Sequence, residues 1–323
     1  MSGFIDRLKE LDRFPNKELS VEADVLGREL IGPLPFTFRM DERKLGDFDL
    51  ELLLSRLEMQ SDLDAIDARR KSGKPELSMA SVLSTSPQRD AASSRHSIAS
   101  YIQMIYGSLP PNADEVLRRV HIKFLKRLHS LSGEPLEVFT TNYDPSIEKV
   151  GVLDPSLKVA QGFEPNADEG VMVFSDQAFE GPEPIRLYHI HGTFHWQEDR
   201  GRIISVPVTH SRSLGKVLLP GPRKAVDAAL PPFKSLYARF FEKVREADRI
   251  ISIGYSGRDE DVTYRLLLGM GANPDSRLIV VMPGKPAFGW LTAKEILGDR
   301  FIHLPLKFED LVDDPDFWRL VEN

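Results

Sequence analysis

Five short apolar runs, at residues 136–140, 185–190, 249–253, 278–282 and 301–304, restrict the fold of this chain more than any other feature. Each is too short for a helix and is followed by turn-forming residues, while the stretches between them carry helical spacing. Phe233, Leu236, Phe240 and Val244, for example, recur at three, four and four residues between the second and third runs. Strands alternating with helices are the pattern of a parallel sheet with crossover connections, so an α/β, Rossmann-like parallel sheet flanked by helices is predicted for residues 133–323. Residues 1–132 read as mainly helical insertions. Phe4, Ile5, Leu8 and Leu11 form one stripe, and Leu50, Leu52, Leu53, Leu54 and Leu57 another. Residues 61–98, rich in Ser and containing Gly73 and Pro75, read as a mobile loop. A further helix is predicted after Asn112, with Glu115 three residues on as a capping box, Leu117, Val120, Phe124, Leu128 and Leu131 along one face, and Gly133 as its stop. No linker divides the pattern, and residues 1–323 are expected to form one domain.

Composition narrows the chemistry. With no cysteine, the chain has no disulfide, no thiolate zinc site, no cysteine-held iron-sulfur cluster and no thiol nucleophile. Its net charge of −7 provides no global field for nucleic acid, and direct nucleic-acid binding is not expected. The longest apolar run falls far short of the about 20 residues that span a bilayer, and Asp6, Arg7, Lys9 and Glu10 do not suit a signal peptide. A cytoplasmic protein that does not enter the membrane is expected.

In an open α/β sheet, ligands bind beyond the carboxyl ends of the strands. Three of these ends are chemically rich. After the first run comes Thr140-Thr141-Asn142-Tyr143-Asp144-Pro145, where Asp144 and Pro145 could simply open a helix while the Asn142 amide could hold a sugar hydroxyl or a water. After the second comes His189-Ile190-His191-Gly192-Thr193. Both histidines would share one face of a strand, which permits a metal pair; alternatively His191 alone acts as a base, with Gly192 allowing a ligand to approach closely. After the third comes Gly254-Tyr255-Ser256-Gly257-Arg258-Asp259-Glu260-Asp261, a turn leading into a helix. Ser256 and the backbone amides suit a phosphate, but the acidic run repels one, and Asp259 fits a ribose hydroxyl better.

Together, TTNYD, HIHGT and IGYSGRDED resemble the sirtuin-like NAD-consuming domain family, and more closely its zinc-free bacterial branch associated with antiphage defence. The resemblance runs over roughly residues 1–312 and includes the PGPRK segment, VREADRIISIGYS and KFEDLV. It implies a hydrolase acting on NAD, with His191 as catalytic base and Asn142 and Asp144 contacting the nicotinamide-side ribose and a water. Gly254 and Ser256 match the family's strand-end Gly and Ser that face the NAD phosphates and ribose, and Thr141, Gly192 and Asp259 are expected to bind NAD with them. No metal is implied. NAD or a related nucleotide is the expected ligand, and an activating signal, from a homo-oligomer or a protein partner, is an expectation of the resemblance. Two departures matter. Without cysteine the zinc module of lysine-deacetylating sirtuins cannot form, which favours NAD hydrolysis over deacetylation. The family's opening strand and Gly-rich GAGxS loop also have no counterpart, so the reading frame is expected to start late or to have lost that strand, leaving a central position of the sheet unfilled. The alternatives are a non-catalytic module that binds NAD or a derivative, and an HxH metallohydrolase using His189 and His191.

Overall fold

In the computed structural model the described residues are 109–166, 170–206, 215, 217–218, 224–286 and 288–322. The expected N-terminal stripes, the loop at 61–98 and any strand before residue 109 lie outside them.

The described chain opens with α1 (Ala113–Val116), a π-helical stretch (Leu117–Ile122) and α2 (Lys123–Ser132), which follow one another without a break. Gly133, at φ 68°, stops the run as predicted, because its left-handed conformation carries no Cβ penalty. The predicted capping box does not form: Asn112 precedes α1, but its side chain makes no cap hydrogen bond. Then come β1 (Leu136–Thr140), α3 (Ser146–Leu153), β2 (Val159–Ala160), β3 (Phe163–Asn166), β4 (Val171–Phe174), β5 (Ile185–His189), β6 (Trp196–Asp199) and β7 (Arg202–Ser205). After them lie α4 (Lys224–Ala228), α5 (Phe233–Glu246), β8 (Arg249–Ile253), α6 (Glu260–Ala272), β9 (Arg277–Val281), α7 (Phe288–Leu297), β10 (Phe301–Leu304), α8 (Phe308–Leu311) and α9 (Pro315–Glu322).

All five predicted strands are present, one with one end and one with both ends moved by one residue, and all are parallel. They form two ladders, β1-β5-β2 and β10-β9-β8, which share no strand among the described residues. Side chains show that the ladders make one layer. Phe139, Tyr188, Leu278, Val280 and Phe301 enter one core with α5, α6 and α7. Val138, Ile185, Ile251, Ile279, Val281 and Ile302 enter the other with α1 through α3, α8 and α9. Alternate residues of β9 thus point to opposite cores, which is why this strand reads as an unbroken apolar run.

A third sheet, antiparallel in the order β3-β4-β7-β6, was not predicted. It is built around β5 in sequence and adds Phe163, Phe174, Trp196 and Ile203 to the α5–α7 core. The parallel α/β architecture stands, with this insertion as a correction to a purely parallel second half.

Candidate active site

Register places two of the motif turns side by side. β1 and β5 pair in parallel with Thr140 opposite His189, so the residues after each leave the sheet together. Backbone and side chain then knit them. Thr193 Oγ1 donates to the Tyr143 carbonyl at 3.3 Å, and the Tyr143 and Phe194 rings meet at 5.4 Å between centroids. Residues 217 and 218 lie across the same place: Gly192 bridges Val217, the Leu218 N–H donates to the His191 carbonyl at 2.8 Å, and Tyr143 Oη donates to the Leu218 carbonyl at 2.7 Å. Gly192 has φ 73°, a turn that a side chain would strain.

The third turn joins through one carboxylate. Asp259 caps α6, its Oδ1 accepting the Val262 N–H at 3.4 Å, while Oδ2 lies 2.8 Å from His191 Nε2. That approach is close, but the ring nitrogen is not aligned for a hydrogen bond. Lys224 Nζ, from α4, also meets Asp259 Oδ2. Tyr255 Oη donates to the Asp259 carbonyl at 2.9 Å, and Trp290 Nε1 donates to the Tyr255 carbonyl at 3.0 Å, tying the turn to α7.

Electrostatics follow from this packing. Burial lowers the proton affinity of His191, and the Lys224 cation adds to that effect against the opposing pull of Asp259 and Asp261. A buried imidazole held neutral is able to accept a proton. For Asp259, burial alone would favour the acid form, but the His191 and Lys224 contacts outweigh it and hold the carboxyl far below its usual range.

Asn142 is exposed at the end of β1; its N–H donates to Thr140 Oγ1 at 3.0 Å, and its carbonyl lies 3.3 Å from His189 Nδ1. Thr141 is half-buried beside it. Asp144 is half-buried and accepts from both the N–H and the hydroxyl of Ser146, opening α3 in the manner of a local cap. Gly254 is exposed at φ 68° with open space around it, and Ser256 is half-buried in the same turn. Asp259 differs most from its expected place, since both of its oxygens already have protein partners.

His189 and His191 do not act as a pair on one strand face. β5 ends at His189, and the chain turns before His191. His189 reaches the other way: its Nε2 lies 2.9 Å from Glu148 Oε1 on α3, buried to 1% exposure. Among the described residues no group of three or more His, Asp or Glu is placed to hold a metal ion. Burial opposes a proton on His189, but the Glu148 carboxylate prevails and raises its proton affinity.

Sequence reasoning missed Lys224, Glu148 and Tyr143. Lys224 ends the PGPRK segment, where a cation just before a helix was the available signal. Glu148 sits four residues after Asp144, one turn into α3, and nothing local to it shows that it faces a histidine 41 residues away. A cavity of about 520 Å³ lies between α3 and the residues around the start of α1, lined by Leu109, Asp114, Pro145, Glu148 and Lys149; the motif turns do not border it, apart from Pro145. The chemistry therefore points to the junction of the turns and not to that cavity.

Comparison with known families gives a match to the model described as SIR2-like domain over residues 136–296. The matched span begins at β1 and ends within α7, so it contains all three motif turns. No curated protein matches the chain. Among the described residues no helix is long and apolar enough to cross a membrane.

Proposed function

Taking residues 136–296 as a SIR2-like domain, of a family that uses NAD, we propose that the chain is an NAD glycohydrolase that cleaves the bond between nicotinamide and ribose. The observation that carries this reading is His191, a buried imidazole of lowered proton affinity at the point where the turns after β1, β5 and β8 meet. In this reaction water adds to the anomeric carbon of the ribose as the carbon–nitrogen bond breaks. The electron pair of that bond returns to the pyridinium ring, so nicotinamide leaves neutral and needs no general acid. One proton must leave the attacking water, and His191 receives it. Charge builds on the ribose in an oxocarbenium-like state, which a site shielded from bulk water and lined by fixed dipoles stabilises.

In this proposal Asn142, exposed at the mouth of the turns, presents its amide to the ribose and the water. Asp144, held by Ser146, adds a negative charge near the developing cation. Thr141, Gly192, Gly254 and Ser256 line the NAD side, the two glycines giving the nucleotide close access to the backbone. The cysteine-free composition and the resemblance to the zinc-free branch support hydrolysis rather than deacetylation, in a cytoplasmic protein of antiphage defence that forms one domain and is switched on by a partner or by self-association.

The test is direct. Purified protein with NAD should release nicotinamide and ADP-ribose in equal amounts, and His191→Ala and Asn142→Ala should each lower the rate at least about a hundredfold, the scale of general-base and positioning effects. Full turnover in His191→Ala would defeat the assignment. Binding without release would make the chain a non-catalytic NAD module, and a stoichiometric transition metal bound through His189 and His191 would favour a metallohydrolase.

A further inference from the structure

Lys224, Asp259 and His191 come from the start of α4, the cap of α6 and the turn after β5, so three separate elements bring a cation, an anion and an imidazole to one point. Their side chains are only 14%, 7% and 11% exposed. Asp259 Oδ2 faces both Lys224 Nζ and His191 Nε2, while Oδ1 serves the cap of α6. We propose that Asp259 is a positioning residue for His191 and that Lys224 is the counter-charge that keeps this imidazole free to act as a base. The inference rests on the reading of His191 as the base and gives Asp259 a task other than ribose contact.

Charge balance gives each partner its task. A lone carboxylate 2.8 Å from an imidazole holds the ring in place by charge and contact but also favours a proton on it, and an imidazolium cannot take a proton from water. A cation on the same carboxylate oxygen removes the second effect and keeps the first. Of the other ionisable groups nearby, Asp261 on α6 acts on the ring itself, Tyr237 on α5 lies near Asp259 and Asp261, and Tyr255 donates to the Asp259 carbonyl. Asp261 adds to the pull of Asp259 on the ring, which makes the compensating lysine more necessary. His189 is turned away to Glu148 and takes no part.

The test reads His191 itself in the full-length protein. Its ring signals are followed by nitrogen–proton NMR across pH and assigned by their loss in His191→Gln; no substrate is added, so the outcome does not depend on whether NAD is hydrolysed. Lys224→Met should raise the His191 midpoint by about one pH unit, the scale of an uncompensated neighbouring charge. Lys224→Arg should restore it, and Asp259→Asn, which keeps an acceptor for the Val262 N–H, should lower it. Lys307→Met, at a side chain 64% exposed and paired with Glu309, serves as the control and should move nothing. A midpoint unmoved by Lys224→Met in a protein of unchanged unfolding temperature overturns the proposal. With NAD as substrate, Asp259→Asn should cut kcat about tenfold or more with KM within about twofold, and Lys224→Met should move the acid limb of the rate profile upward. A raised KM with kcat kept would put Asp259 on the ribose and overturn its positioning role. Absence of turnover in the unaltered protein, with the midpoint shifts present, would defeat the hydrolase reading and uphold the charge arrangement.

Discussion

His189 shows how a motif residue can serve the fold. The imidazole spans from β5 to α3 by meeting Glu148, and the same ring touches the Asn142 carbonyl, so it fixes the turn from which Asn142 projects. Glu148→Gln keeps the shape but removes the charge, and should cost about 1–3 kcal/mol near pH 6, because a buried charged hydrogen bond is replaced by a neutral one. The pH dependence has a defined sign. The proton affinity of His189 is raised, so its contribution is complete below pH 6.5 and is lost as pH rises through its folded value. For Glu148 it is lowered, so the contribution is present above pH 4.5 and is lost as pH falls. Urea midpoints of the two proteins should therefore differ most between these limits and converge outside them, whereas a constant difference would remove charge from the explanation. Nothing in the sequence reveals this pairing, since both histidines of HIHGT look alike until the end of β5 is known.

Among the elements, α7 depends on the turn after β8 more than its distance in sequence suggests. Gly289 lies so near Gly257 that a methyl group there would drive into the Gly257 carbonyl oxygen, and a Cβ on Gly257 would meet Trp290 at 2.9 Å. Gly289→Ala should therefore lift α7 from the turn and destabilise the protein by about 1–3 kcal/mol, as overpacking does elsewhere, with a matching fall in the temperature of unfolding. Trp290→Phe, which loses the donor to the Tyr255 carbonyl, should cost about 1 kcal/mol. The parallel strands were legible because each is a compact, mainly apolar run that packs against a core on both faces. The antiparallel sheet was not: β3 contains Pro165 and Asn166, and β6 reads Trp-Gln-Glu-Asp, so neither offers the alternation that marks a strand. Such segments pair because of what lies beside them, which a local pattern does not record.

For the whole molecule, the site draws on both ladders: Asn142 and His191 follow strands of one, and Ser256 and Asp259 follow a strand of the other. A ligand seated among them should slow amide exchange in β5 and β8 together. Adding NAD to His191→Ala, which should bind without consuming it, makes that measurement possible; at about a hundred times its dissociation constant the ligand should add about 2.7 kcal/mol of stability. Slowing confined to one ladder would place NAD elsewhere. The absence of cysteine gives a second expectation, that N-ethylmaleimide leaves turnover unchanged. Motif order in the sequence was enough to group the three turns, but not to show which side chains meet.

The 2.8 Å between His191 and Asp259 bridges two ladders that share no strand among the described residues, so no strand pairing among them sets that distance. Beneath the two turns β5 and β8 share one buried side-chain layer, in which Tyr188 packs with Leu278 and Val280 of the neighbouring β9. The fold thereby acts as a calliper, with its jaws at the imidazole and the carboxylate and its adjustment in the buried layers. Truncating Tyr188 or Leu278, both fully buried, should therefore cost about 2–5 kcal/mol of stability and displace the imidazole from the carboxylate, read as a lower unfolding temperature together with a shifted His191 ring signal.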